Sequence, residues 1–341
     1  MDFTELIDLA AERLGGAVIF ANDEFFAPKE NLLKAAAPIF IEGKYTDLGK
    51  WMDGWETRRR RTPGYDWCLL RLGLPGRLRG VLLDTSYFRG NYPEQCSIEA
   101  CAVAGHASTE RLLDASTQWV EVLPLSELKG DSQNLFAIEN RERFTHLRLK
   151  IYPDGGVARL RVFGEVVPDW ARIGREQSEI DLAAVEHGGL VIACSDMFFG
   201  HRHNLIMPGR ALDMSDGWET KRRRGPGHDW TIIQLGSPGK IRRAEVDTAH
   251  FKGNFPESCS METCDLGGRD IAVTDFDSLP WKEVLPRTKL LAHTRHHFDE
   301  EILDAGRATH VRFHIYPDGG VSRLRLMGTI DGRNSIEGRN A

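Results

Sequence analysis

The chain has 341 residues, 44 Lys and Arg against 50 Asp and Glu, and a formal net charge of −6. That balance gives no electrostatic footprint for nucleic acid or an anionic membrane. No apolar run approaches the ~20 residues of a membrane span, and the opening Met1–Glu5 lacks the basic and apolar regions of a signal peptide, so a cytoplasmic protein is expected.

The chain opens with Ile7-Asp8-Leu9-Ala10-Ala11 before Gly15-Gly16, and the same text returns as Ile180-Asp181-Leu182-Ala183-Ala184 before Gly188-Gly189. Each reads as a short helical turn stopped by glycine, which takes a left-handed cap at no steric cost. Further on, Asp53-Gly54-Trp55-Glu56-Thr57 with Arg58 to Arg61 is repeated as Asp216-Gly217-Trp218-Glu219-Thr220 with Lys221 to Arg224. A chain that repeats so specific a text is a duplication. We assign residues 1–164 to a first domain, 165–178 to a linker, 179–330 to a second domain and 331–341 to a tail. Within the tail, Ile336-Glu337-Gly338-Arg339 matches a protease recognition sequence appended to recombinant proteins and is set aside. The first half carries about ten extra residues around Ala35 to Leu48, a loop insertion of the kind surfaces tolerate.

After each arginine run the text turns to strands. Trp230 to Leu235, a Gly-Ser-Pro-Gly turn at 236–239 and Ile241 to Asp247 read as strand, turn and partner strand, as do Trp67 to Gly73 and Leu78 to Asp84. Each half ends with an alternating pair, Thr145 to Tyr152 and Val157 to Gly164, joined by Pro153-Asp154-Gly155-Gly156; Thr309 to Gly328 repeats it. Leu147, Leu149 and Ile151 point one way and Arg148 and Lys150 the other, the period of half-buried strands. Helical periodicity is scarce. The expected fold is all-β, two tandem sandwiches.

The six cysteines are too few for a disulfide scaffold in so long a chain. The recurring pairs Cys96/Cys101 and Cys259/Cys264 suit buried thiols better than a metal site. His293, His296 and His297 could be metal ligands, but a solvated stretch, whose first-half partner has no histidine, is the favoured reading. Trp55, Trp67, Trp119, Trp218, Trp230 and Trp281 are expected in the core.

Taken together, these motifs resemble the allantoicase family. The tandem Asp-Gly-Trp-Glu-Thr block, Asp247-Thr248-Ala249-His250-Phe251-Lys252-Gly253-Asn254 and the twice-used Tyr-Pro-Asp-Gly-Gly-Val segment carry the resemblance from Leu6 to about Ile330. It implies two jelly-roll sandwiches of the galactose-binding, discoidin-like kind. It also implies hydrolysis of allantoate to ureidoglycolate and urea in purine (allantoin) degradation, and a homo-oligomer. No cofactor is assigned, a divalent metal being an open possibility.

Allantoate is a carboxylate whose neighbouring carbon bears two ureido groups. Binding calls for a planar cation on the carboxylate and acceptors for ureido N–H groups; cleavage calls for an acid and a base. His228, Asp229, His250, Glu219 and Asp247 are the candidate catalytic residues, and Arg222, Arg223, Arg224, Lys252 and Asn254 the candidate substrate ligands. In a strand only alternate arginines of the run would face one site. Ten of the twelve histidines follow position 175, with His228 standing where Tyr65 stands and His250 where Tyr87 stands. Histidine titrates near neutrality, so the second half is expected to do the acid–base work, and His250→Tyr to abolish urea release. A non-catalytic small-ligand or carbohydrate-binding protein is the rival reading, because such sandwiches also serve that role.

Overall fold

The computed structural model describes residues 2–105, 107–170, 172–173, 179–267 and 275–331. His106, six of the fourteen residues of the anticipated linker (171 and 174–178) and all but the first residue of the tail lie outside them. The chain divides into two compact units, Met1–Val167 and Pro168–Ala341. Among the described residues, no helix is long and apolar enough to cross a membrane.

Each repeat is organised by one 19-residue strand, Asp66–Asp84 or Asp229–Asp247. Its first arm pairs with Arg143–Tyr152 on one side and Ala17–Ala21 on the other. Gln95–Cys101 and Val120–Glu127 extend that sheet. The second arm pairs instead with Arg159–Val166 and Gln133–Ala137, and Ile7–Asp8 completes a second sheet. Every pairing is antiparallel, and the second repeat follows the same order. The two faces enclose a core that includes Leu70, Leu83, Leu147, Leu149, Ile151, Leu160 and Val162, all fully buried. Each unit is therefore an all-β jelly-roll sandwich.

Two expected hairpins are absent. Trp230 to Leu235 and Ile241 to Asp247 do not pair; they are arms of one strand whose register jumps between Gln234 and Gly239. Pro238 and Pro75 offer no N–H to a ladder, and the flanking glycines allow a bend there. Both sides of each arm are already occupied by other strands, so the bend moves the chain to the other sheet and does not fold it back. Thr145 to Tyr152 and Val157 to Gly164 likewise enter opposite sheets. The Pro-Asp-Gly-Gly segment, entered through cis Tyr152–Pro153 and cis Tyr316–Pro317, carries the chain across one end of the sandwich.

The expected alternation holds: Arg148 and Lys150 leave the core side and both bond Glu99. The opening turn is a short 3-10 turn, Glu12–Leu14 or Val185–His187, and its glycine cap is left-handed (φ 96° at Gly15, 86° at Gly188), but Ile7–Asp8 and Ile180–Asp181 are strand. Of the six tryptophans Trp55 and Trp218 are fully buried, while Trp67 and Trp119 are partly buried against the cluster of Leu69, Cys101, Val103 and Leu112. Trp119 and Trp281 lie beneath Arg148 and Arg312, with the guanidinium 4.7 and 4.8 Å from the ring centre. An indole under a cation on an outer face loses less water than one in the interior and still covers apolar surface.

Candidate functional site

In the second repeat the site grows from a two-residue strand. Trp218–Glu219 pairs with Gly320–Val321, just past the Pro-Asp-Gly-Gly crossing. Trp218 is fully buried and donates its indole N–H to Asp196 O at 2.8 Å, so the next residue, Glu219, is held at the end of the sandwich. Thr220 is buried and locked to Gly319 in both directions, by its N–H to the carbonyl and by its hydroxyl accepting the Gly319 N–H at 3.1 Å. A second loop is anchored by Phe251, whose ring lies so close to Gly320 that an added Cβ would sit 2.0 Å from it. Gly320 donates its N–H to Asn254 O at 2.8 Å. The Asn254 carboxamide then donates from Nδ2 to Glu219 Oε1.

Around this pair opens a cavity of about 690 Å³. Arg222, Arg223, Lys289, Glu219, Glu257 and Asp318 supply its charge, while Phe199 and Leu291 form exposed apolar wall. Arg223 is a strut as well as a wall: its N–H donates to Asp318 Oδ2 at 2.8 Å and its guanidinium bonds Asp229. Such a space can bury most of a small, strongly polar acid, since its wall carries both cations and carboxylate or amide oxygens.

Of the residues predicted from sequence, Glu219, Arg222, Arg223 and Asn254 line the cavity together. Arg222 and Arg223 are neighbours on an irregular segment, so strand alternation does not apply to the run. Arg224 and Lys252 are exposed and off the wall. Asp229 is buried and spoken for by Arg223 and by the Ser195 hydroxyl at 2.9 Å. Asp247, equally buried, accepts the Ala249 N–H at 2.8 Å and closes the end of the long strand. His250 is also off the wall: its Nε2 lies 3.0 Å from Ala211 O, and its own N–H donates to His293 Nδ1 at 2.7 Å. His296 Nε2 accepts the Leu291 N–H at 2.8 Å, so His293 and His296 tie down loops. Among the described residues, no group of three or more His, Cys, Asp or Glu is arranged to hold a metal ion. Burial pushes Cys96 and Cys259 up to about 12 and Cys101 and Cys264 up to about 11, leaving them as inert thiols.

Against known proteins, two copies of a family model described as the allantoicase repeat match residues 7–167 and 180–331. The chain belongs to the allantoicase family. It is 50% identical to a probable allantoicase of Photobacterium profundum over 96% of this chain and 98% of that one. A probable allantoicase of Pseudomonas aeruginosa (strain UCBPP-PA14) is also 50% identical, over 96% and 97%. The crystal structure of allantoicase from Saccharomyces cerevisiae superposes with a TM-score of 0.79 at 40% identity, covering 94% of this chain and 92% of that one. Likeness of this length and level favours a hydrolase over the carbohydrate-binding alternative.

Sequence reasoning missed three charged groups of the wall in this allantoicase-family chain. Asp318 reads as turn chemistry, yet the repeated bond from the arginine run (Arg223 to Asp318, Arg60 to Asp154) ties that turn to the site. Glu257 and Lys289 have no sequence signal; pairing of Ser258 with Lys289 brings their strands together. A histidine chain also went unread. Burial opposes the Glu262 charge, but hydrogen bonds from His314 and Arg312 outweigh it and hold its carboxyl below the usual range. His314 Nε2 lies 2.9 Å from Glu262 Oε2, and His314 Nδ1 lies 2.8 Å from His228 Nε2. Burial lowers both imidazoles, so both are neutral near pH 7. A carboxylate must accept from His314 Nε2–H; His314 Nδ1 then accepts from His228 Nε2–H, and the lone pair of His228 falls on Nδ1. In the first repeat Tyr65 replaces His228 and Lys150 replaces His314, the latter bonded to Glu99 at 2.5 Å.

Proposed function

We propose that the second-repeat cavity binds allantoate and that the chain cleaves it there to ureidoglycolate and urea. The observation that carries the placement is the Glu219–Asn254 pair standing in one cavity with Arg222, Arg223 and Lys289. Arg222 and Lys289 meet the carboxylate of the substrate, the guanidinium by its forked donors. Glu219 accepts a ureido N–H and exchanges the proton that must move when a ureido nitrogen leaves as urea. Asn254 occupies Oε1, which directs that traffic to Oε2. Asp318 and Glu257 complete the set of acceptors for the remaining ureido N–H groups.

Cleavage by these side chains alone is part of the reading, as are a cytoplasmic location and a homo-oligomeric state. No nucleic acid or membrane partner is part of it. Release of urea from allantoate by the purified chain, unchanged after chelator treatment and lost in Glu219→Gln, is the expected result. Full activity in Glu219→Gln would move the reaction elsewhere.

A further inference from the structure

The first repeat keeps the pair that organises the second-repeat cavity. Glu56 stands on the strand Trp55–Glu56, paired with Gly156–Val157, and accepts from Asn91 Nδ2 at 2.7 Å. Burial pushes the Glu56 carboxyl up, against the pull of the Asn91 hydrogen bond. Over the pair lies a separate cavity of about 330 Å³, about half the volume of the other.

Its cations come from different places. Arg59 and Arg60, the counterparts of Arg222 and Arg223, are not on its wall; Arg60 is held by Asp66 at 2.7 Å and by Asp154. Lys50 and Arg89 line it instead. Lys50 ends the small hairpin of Tyr45–Thr46 with Gly49–Lys50, whose first strand lies within the Ala35 to Leu48 stretch that carries the extra residues. Phe40, within that segment, has Lys50 Nζ 4.6 Å from its ring centre and stacks on Tyr87 at 5.8 Å. Tyr87 in turn lines the cavity, whereas its counterpart His250 lies off the wall of the other one. The ten-residue insertion thus builds one side of a polar cavity whose floor is copied from the second-repeat cavity. A surface loop that only tolerated extra length would have no reason to deliver a cation and a ring to that floor.

We propose that the first-repeat cavity is a second ligand site, which binds a small mono-ureido carboxylate, the chemical class of the product, without cleaving it. Lys50 and Arg89 meet the carboxylate, and the Glu56–Asn91 pair meets the ureido N–H groups. The halved volume suits one ureido arm, and the arginine pair is missing from the wall. This rests on the reading of the second-repeat cavity as the allantoate site.

Titration calorimetry with hydantoate, a carboxylate bearing one ureido group, tests it on the full chain. The expected result is two hydantoate molecules per wild-type chain. Lys50→Gln and Asn91→Ala each weaken one of the two by about tenfold or more and leave urea release from allantoate unchanged. Asn254→Ala weakens the other and lowers urea release. Lys50 is at the surface, so Lys50→Gln keeps the test open if Asn91→Ala fails to fold. One hydantoate per chain, insensitive to Lys50→Gln, would overturn the proposal. If Asn254→Ala keeps full urea release while Lys50→Gln still loses a bound hydantoate, the second-repeat reading fails and the first-repeat site stands.

Discussion

Asn254 donates to Oε1 of Glu219, and among the described residues it is the one side chain that hydrogen-bonds this carboxylate. One oxygen is occupied and the other is left for a ligand. A carboxamide holds a carboxylate in place without neutralising it, as a lysine or arginine at the same position would.

Glu219→Gln is therefore expected to lower kcat/KM for urea release by about 10²–10⁴-fold, the range for loss of a proton-transfer group. Asn254→Ala falls in the same direction but less steeply, because the carboxylate remains. His250→Tyr is expected to stay within a few-fold of wild type. Tyr87 takes the same left-handed backbone (φ 70° at both positions), so the tyrosine is accommodated at 250. Steady-state colorimetry on the three variants separates these outcomes.

Arg222→Ala removes a charged hydrogen bond to the substrate carboxylate, about 1.5–3 kcal/mol, and is expected to raise KM by roughly 10–100-fold. Arg222→Lys restores the charge but not the fork, so it recovers only part of the loss. A KM equal to wild type in Arg222→Ala would place the carboxylate elsewhere in the cavity.

Asp53 and Asp216, each followed by a glycine, anchor buried arginines. Arg159 donates from a terminal nitrogen to Asp53 Oδ2 at 2.6 Å, and Arg323 bonds Asp216 at 2.7 Å. Asp53→Asn strands a buried guanidinium and is expected to cost about 3–5 kcal/mol, read as a lower urea midpoint at unchanged slope. Burial works against the Asp53 charge, but the Arg159 hydrogen bond and the Ile39 N–H outweigh it and hold its carboxyl below the usual range. A depressed carboxyl stabilises the fold above its unfolded pKa, and the contribution fades as pH falls through the folded value. Asp53→Asn should lose that part of the acid sensitivity.

His146 and His310 occupy matching positions, each bonded to the preceding threonine hydroxyl, and burial pulls both down to about 4. Between about pH 6.5 and that value the unfolded imidazoles take up protons that the folded ones refuse. Stability should therefore fall as pH drops through this window and level off below it. Denaturant midpoints measured across the window check this, and replacing both residues by glutamine should flatten the slope.

Much of the fold was legible because burial leaves a period of two: Leu147, Leu149 and Ile151 face the core where they were expected. What the text did not reveal is which strands pair. Trp230 to Leu235 and Ile241 to Asp247 look like a hairpin locally, and only long-range partners such as Ala308–Tyr316 and Arg323–Ile330 make them one strand. The site followed the same rule. Glu219, Arg222, Arg223 and Asn254 were readable because the text is repeated around them. Asp247 and Asp229 look the same in sequence but close a strand end and an ion pair. Lys289 and Glu257 were invisible, since side chains far apart in sequence meet only through register.

The bent strand Asp229–Asp247 belongs to both faces of its sandwich at once, as Asp66–Asp84 does in the other. Peeling one face from the other would tear a continuous backbone ladder at the proline corner, so neither face can persist as a half-folded intermediate. Each repeat should melt as a single cooperative block, and amide protons on both arms should report one common free energy of opening by hydrogen exchange.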